Sequence, residues 1–122
     1  MVTGRDLRAF VAAREARRRV RLDALRVTLE AALPDLARVL TDAGAERVLA
    51  FGSLISGGLH DGSDIDLAVI GLPPERYFAT LAELLARAPV AVDLVELELA
   101  PPSLAAHVLA TGRDLVPRSE RR

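Results

Sequence analysis

The sequence predicts an α+β domain, in which helices pack on a small mixed β-sheet that a long N-terminal helix precedes. Three observations predict this class. The chain has 122 residues, of which 51% are hydrophobic and 27% charged, and this suits one soluble domain with a single core. Its first third has the three- and four-residue apolar spacing of an amphipathic helix. The remainder alternates short strands with helices, which we expect to lie on one side of the sheet.

The first helix is predicted from about residue 6 to residue 40. Its apolar stripe is good only after Leu22, because residues 12–21 contain strong helix formers but almost no core residues. That stretch is expected to project from the domain or to pack against it lightly. Pro34 lacks an amide hydrogen and is expected to kink the helix or divide it in two. Gly44 is expected to end it.

The charge is unevenly distributed along the chain. Residues 1–26 carry eight arginines against three acids, a net charge of +5, and residues 27–122 carry eight arginines against fourteen acids, a net charge of −6. We interpret residues 1–28 as a basic helical arm, 29–117 as the folded domain and 118–122 as a frayed end. No aromatic residue is interleaved with the later arginines of the arm, which argues against nucleic-acid binding. The arm could instead bind a partner or simply be solvated, and the oligomeric state stays open, with a homo-oligomer as one alternative.

The domain is predicted to contain four strands and three further helices. The strands are expected at Arg47–Phe51, Asp64–Ile70, residues 90–97 and, as an edge strand, Asp114–Val116. The helices are expected at Ser53–Ser56, Glu75–Ala88 and Ser103–Ala110, ended by Gly57, Pro89 and Gly112 in turn. In the second of these helices, the residues expected to face the core are Tyr77, Phe78, Leu81, Leu84 and Leu85. Ser103 is expected to cap the third.

The composition excludes several classes of protein. The chain has no cysteine, so it can form neither a disulfide framework nor a thiolate metal site. With only two histidines, carboxylates are the ligands left for a metal. No apolar run reaches the roughly 18 residues of a membrane span, and the basic start lacks the apolar segment of a signal peptide. We therefore expect a cytoplasmic protein that does not enter a membrane.

The stretch that indicates chemistry is Gly52-Ser53, followed by ten residues and then Asp64-Ile65-Asp66. Because side chains alternate along a strand, Asp64 and Asp66 are predicted to share one face. Two carboxylates this close repel each other, and an oxygen-only site prefers Mg²⁺ or Mn²⁺. Asp93 lies in the next apolar strand, where an unpaired acid is costly, and it would be a third ligand if the two strands are neighbours.

Gly52 and Ser53 lie where a strand turns into a helix. Backbone amides and the positive end of the helix dipole can meet an anion there, so this turn is predicted to bind phosphate. A triphosphate at the turn, with metals on the carboxylates, is the arrangement for in-line nucleotidyl transfer. Plainer readings stay open: Gly-Ser as an ordinary helix start, the aspartate pair as loop acids, and Asp93 as the acid of a structural salt bridge.

The segment GSLISGGLHDGSDIDLAV resembles the Gly-Ser, ten residues, Asp-x-Asp signature of the DNA polymerase β-like nucleotidyltransferases, and the small size is similar to their minimal branch. The resemblance covers about residues 30–117 and implies the polymerase β-like fold. It implies that Asp64 and Asp66 hold Mg²⁺ or Mn²⁺, with Asp93 completing one metal and acting as base. Gly52 and Ser53 would hold ATP.

Many members of that branch are antitoxins paired with a HEPN-domain ribonuclease toxin, and some transfer AMP from ATP to a toxin tyrosine. The resemblance therefore implies a HEPN toxin as partner and antitoxin action for this chain. The toxin's own Arg-x(4 to 6)-His motif is absent from it. The alternative is a binding module that neutralises its partner by contact. A small-molecule nucleotidyltransferase is disfavoured, because we expect no added domain for the acceptor.

The chain departs from the family in the three residues that follow Gly-Ser. Family members commonly carry arginines there, and this chain has Leu54, Ile55 and Ser56; no arginine occurs from Val48 to Glu75. The charge of a triphosphate would have to be met by metals, by backbone amides, or by arginines from elsewhere in the chain. The sources considered are Arg76 and the basic arm.

Overall fold

The computed structural model describes residues 1–116, which form a four-stranded mixed sheet with helices packed on it. The helices are α1 (Gly4–Asp42), α2 (Ser53–Ser56), α3 (Tyr77–Arg87) and α4 (Pro102–Thr111); the strands are β1 (Arg47–Phe51), β2 (Ile65–Ile70), β3 (Val92–Glu96) and β4 (Arg113–Asp114). Single 3-10 turns lie at Pro74–Arg76 and Leu97–Leu99. No helix in this part of the chain combines the length and the apolar character that crossing a membrane requires.

The sheet has the strand order β3-β2-β1-β4. β1 runs antiparallel to both β2 and β4, and β2 runs parallel to β3, so the predicted mixed sheet is confirmed. α3 forms the crossover that a parallel pair requires. The register places Phe51 opposite Asp66, and Asp66 opposite Asp93. The sheet therefore brings three sequence-distant positions into one row.

Helix α1 is continuous through Pro34, so the proline does not divide the helix in two, and the kink that was the other expectation stays a prediction. The helix begins with a capping box in which Thr3 and Asp6 satisfy each other's backbone amides. A proline inside a helix costs about 3 kcal/mol. Pro34 is exposed, whereas its neighbours Leu33 and Leu36 are buried, and each buried leucine contributes roughly 2 kcal/mol. Packing on the sheet thus offsets the lost hydrogen bond.

The arm and the domain share α1 without a break at residue 28. Residues 1–21 are all exposed, as expected from their lack of core residues, and the first buried residue is Leu29. The helix ends at Ala43, and Gly44 follows with φ +113° as its amide donates to the carbonyl of Thr41. Glycine tolerates that backbone angle, which confirms its role at the helix end.

The core consists of two layers, one on each face of the sheet. On one face, leucines of α1 and Leu84 of α3 pack against alternate residues of the three longer strands. On the other face, Val108 of α4 packs against Leu49 and Ala68. The expectation that the helices lie on one side of the sheet therefore holds for α1 and α3 and is wrong for α4. Helices cover both faces because both faces of these strands carry apolar residues.

Two details of the predicted helices are wrong. Phe78 and Leu85 of α3 were expected in the core and are exposed, because a helix on one layer buries a single stripe, here centred on Thr80 and Leu84. Ser103 does not cap α4, whose first residue is Pro102. Proline suits that position because its missing amide would have no partner there. Residues 118–122, expected to fray, lie outside the described residues.

Candidate active site

Gly52 connects β1 to α2 with φ +77° and ψ −155°, a conformation that L side chains rarely adopt. A Cβ atom at this position would collide with the carboxylate of Asp66, whose Cγ would lie 2.9 Å away. The cause is the register, which pairs Phe51 with Asp66 and so lays the Asp66 side chain over the following residue. Position 52 therefore requires glycine for two independent reasons, and the turn is built around the Asp66 carboxylate.

Asp66 and Asp93 form a carboxyl pair across β2 and β3. They are register partners, and each lies between residues whose side chains enter the opposite, buried face. The pKa of Asp66 is raised to about 6. Burial is the largest cause, followed by hydrogen bonding with Asp93 and by the negative charges of Asp93 and Asp64. A hydrogen bond between two carboxyl groups needs a proton held between them. Asp93 itself is exposed, so the pair is open to a ligand from solvent.

Asp64 is the third predicted ligand and lies close enough to Asp66 for its charge to act on that carboxyl group. It is half-buried and its charge contributes to the raised pKa of Asp66, but it precedes β2, so sheet pairing does not fix its side chain. Within residues 1–116, no three His, Cys, Asp or Glu side chains are arranged as one metal-holding group. Two adjacent carboxylates with a third nearby are nevertheless the donors that Mg²⁺ or Mn²⁺ prefers. The three-ligand site stays a prediction.

Ser53 is held by a second serine that sequence reasoning missed. Its Oγ donates to the Oγ of Ser63 at 3.0 Å, and Ser63 Oγ also accepts from the backbone amide of His60 at 2.9 Å. Ser63 is only 4% exposed, so this hydroxyl closes the loop between α2 and β2 from the inside. The sequence signal was a serine directly before the aspartate pair, which reads equally well as a turn residue.

Two arginines of α1 contact the segment from Val48 to Glu75, which contains no arginine. Arg26 Nη1 donates to the carbonyl of Leu54 in α2 at 3.1 Å. Arg21 pairs with Asp61 through two hydrogen bonds of 2.8 and 3.1 Å, and the pKa of Asp61 is lowered, mainly by hydrogen bonding to Arg21. Arg76 instead donates to the carbonyl of Ala43 at the end of α1. Of the two sources of positive charge expected from the sequence, the basic arm is the one that contacts this segment.

A cavity of about 390 Å³ lies beside the carboxyl pair. Its wall includes Phe51, Leu104 and the ring of Tyr77, whose hydroxyl donates to the carbonyl of Leu94 at 2.6 Å. Burial, together with the charges of Glu96 and Asp93, raises the pKa of Tyr77. The cavity thus offers an apolar wall next to acidic groups, as a site for a nucleotide or an acceptor side chain would.

A second cavity of about 390 Å³ lies between α1 and α3, and most of its charged side chains form ion pairs with one another. Arg87 contacts both Asp35 and Glu83 at 3.3 Å, and Arg38 lies 3.9 Å from Asp35. These are exposed ion pairs, which contribute little to stability and leave few groups to bind a ligand. The cavity beside Asp66 and Asp93 is therefore the candidate active site.

The chain belongs to the polymerase β-like nucleotidyltransferases, because residues 36–121 match the profile of the family described as polymerase beta, nucleotidyltransferase. The predicted family and fold are confirmed. No curated protein sequence matches the chain.

Among solved structures, a toxin–antitoxin with AMP-PNP is 29% identical, over 66% of this chain and 68% of that chain, with a TM-score of 0.58. A mutant of the toxin–antitoxin MntA–HepT is 26% identical, over 68% of this chain and 71% of that chain, with a TM-score of 0.60. A minimal nucleotidyltransferase is 32% identical, over 75% of this chain and 92% of that chain, with a TM-score of 0.54.

Proposed function

We propose that this chain is an antitoxin that transfers AMP from ATP to a tyrosine hydroxyl of a HEPN-domain toxin in the cytoplasm. The observation that carries the proposal is the carboxyl pair of Asp66 and Asp93 beside the Gly52–Ser53 turn, in a chain of the nucleotidyltransferase family. The similarity to toxin–antitoxin structures supports the choice of partner. The AMP-PNP bound in one of those structures supports ATP as the nucleotide.

In the proposed reaction, the Gly52–Ser53 turn holds the triphosphate, and the toxin hydroxyl approaches the carboxyl pair from solvent. The hydroxyl oxygen bonds to the α-phosphorus while the bond from that phosphorus to the bridging oxygen of the β-phosphate breaks. Pyrophosphate leaves with the electrons of that bond. Asp93, the exposed member of the pair, takes the proton of the hydroxyl.

Asp66 and Asp93, with Asp64 beside them, would hold Mg²⁺ or Mn²⁺. When bound, such a cation neutralises phosphate charge and favours ionisation of the attacking hydroxyl. Asp66 gains most from a cation, because its own surroundings disfavour its negative charge. Gly52 keeps the space in which the Asp66 carboxylate lies.

A second candidate is a binding module that neutralises the toxin by contact without transferring a nucleotide. The absence of arginine between Val48 and Glu75 favours it, because weak triphosphate binding would leave the site idle. The two candidates differ in one observable, the covalent state of the partner.

Mass spectrometry of the partner that co-purifies with this chain, incubated with and without ATP and Mg²⁺, separates them. We expect the partner to gain the mass of one AMP group on a tyrosine only when both are present. An Asp66→Asn chain is the matched control, since it should keep the partner bound and leave it unmodified. A partner that stays bound and unmodified with the unaltered chain would instead establish the contact module.

A further inference from the structure

The segment that contains the Gly52–Ser53 turn has no positively charged side chain to balance a bound triphosphate. A nucleoside triphosphate carries several negative charges, and Asp64, Asp66 and Asp93 add more. The chain contains no lysine, and the segment from Val48 to Glu75 contains no arginine. Besides metal ions and backbone amides, the source of positive charge left for a triphosphate bound as proposed above is an arginine from elsewhere in the chain.

Arg26 is placed to supply this charge. It lies on α1, is half-buried, and its Nη1 donates to the carbonyl of Leu54, the residue that follows Ser53. A guanidinium carries five N–H donors, so one contact to a carbonyl does not exhaust it. Glu30, one turn along the helix, takes its hydrogen bonds from Arg113. Arg26 is also held firmly, because α1 enters the core at Leu29.

A cavity of about 220 Å³ lies next to Arg26, between α1 and residues 57–59. Its wall includes three arginines, Arg18, Arg19 and Arg26, against two acids, Glu15 and Asp23. Helix α2 separates this cavity from the Gly52–Ser53 turn, and with four residues it is about 6 Å long. The arginine-lined cavity is therefore one helical turn away from the predicted phosphate-binding turn.

We propose that Arg26 binds the terminal phosphate of the ATP triphosphate held at the Gly52–Ser53 turn, and that Arg18 and Arg19 add positive charge in the adjoining cavity. The inference rests on the proposed function and adds a residue from outside the nucleotidyltransferase signature. Arginine suits the role because its planar guanidinium forms paired, charge-assisted hydrogen bonds to phosphate oxygens. The inner half of the basic helix thereby becomes part of the nucleotide site.

The test compares Arg26→Gln with Arg17→Gln in the full chain with Mg²⁺. Arg17 lies nine residues before Arg26, two and a half helical turns, so it is on the opposite side of α1 and is fully exposed. ATP affinity is measured by calorimetry and AMP affinity by NMR titration. We expect Arg26→Gln to weaken ATP about tenfold, as loss of a charged hydrogen bond would, and to change AMP affinity less than twofold. Arg17→Gln should alter neither, and Arg26→Lys should restore part of the loss.

The AMP measurement separates phosphate binding from a structural role of the bond between Arg26 and Leu54. Equal losses for AMP and ATP would mean that Arg26 only supports α2, and this would overturn the inference. Unchanged ATP affinity in Arg26→Gln would overturn it as well, and both results would leave the proposed function intact. If the unaltered chain binds no ATP, the proposed function fails first.

Discussion

At the scale of single residues, Asp66 makes stability depend on pH. Its pKa is raised from 3.8 to about 6, so the folded state binds this proton more tightly than the unfolded state does. Protonation of Asp66 therefore stabilises the folded state over the unfolded state fully below about pH 4, and this stabilisation is lost as the pH rises through about 6. Asp66→Asn removes the charge, and we expect it to stabilise the metal-free protein at pH 8 by about 1 kcal/mol, after discounting for solvent exposure.

Thermal unfolding in a chelator at pH 8 and pH 4 checks this expectation. The stabilisation by Asp66→Asn should be present at pH 8 and absent at pH 4. Asp61→Asn is the matched control of opposite sign, because Arg21 lowers the pKa of Asp61 and its removal should destabilise at pH 8. A loss of stability in Asp66→Asn at both pH values would mean that the carboxylate has a structural role.

Gly52 allows backbone strain and steric collision to be separated. Gly52→Ala meets both a positive φ and the Asp66 carboxylate, whereas Gly57→Ala meets a positive φ of +93° with no atom within 4 Å of the new Cβ. We expect a cost of about 1 kcal/mol at position 57 and about 3 kcal/mol at position 52. Denaturant unfolding measures both. Combining Gly52→Ala with Asp66→Ala should recover part of the larger cost, and full additivity would rule out the collision.

At the scale of elements, α1 has two parts with separable tasks. Its outer part, residues 4–20, is exposed and basic, whereas farther along the helix Arg21 contacts Asp61 in the loop before β2 and Arg26 contacts Leu54 in α2. Changing Arg5, Arg8 and Arg17 to glutamate reverses charge only in the outer part. We expect association with the proposed toxin partner to slow about tenfold at low salt, and the salt dependence of the association rate to flatten, because exposed charges chiefly set encounter rates.

Stopped-flow or surface-binding kinetics at two salt concentrations measure this effect, alongside ATP titrations of the same variant. ATP affinity should stay unchanged, since none of the three arginines lines the cavity beside Arg26. Association at the unaltered rate would show that the outer part of α1 is not a docking surface.

At the scale of the whole molecule, the sequence pattern predicted the features that depend on residues close together in the chain. Strand alternation placed the aspartates, and the assumption that two apolar strands are neighbours brought Asp66 next to Asp93, as the register confirms. The common face of Asp64 and Asp66 stays a prediction, because the paired strand begins one residue after Asp64. The contact of Arg26 with Leu54 could not be predicted, since it joins residues 28 positions apart and depends on how α1 lies across the domain.

The hydrogen bond from Tyr77 to Leu94 affects whether the edge of the sheet can pair with a strand of another molecule. β3 lies at one edge of the described sheet. The carbonyl of Ala91 accepts from the amide of Ile65 in β2, and alternate carbonyls along β3 point to that same side. The Leu94 carbonyl faces outward, and Tyr77 occupies it. An unoccupied outer strand recruits strands from other chains, so we expect Tyr77→Phe to lose only about 1 kcal/mol of stability and yet to aggregate faster at high concentration, as light scattering would record. Faster aggregation would mean that the tyrosine hydroxyl hinders amyloid-like strand pairing between molecules, and equal aggregation rates of the two chains would contradict that role.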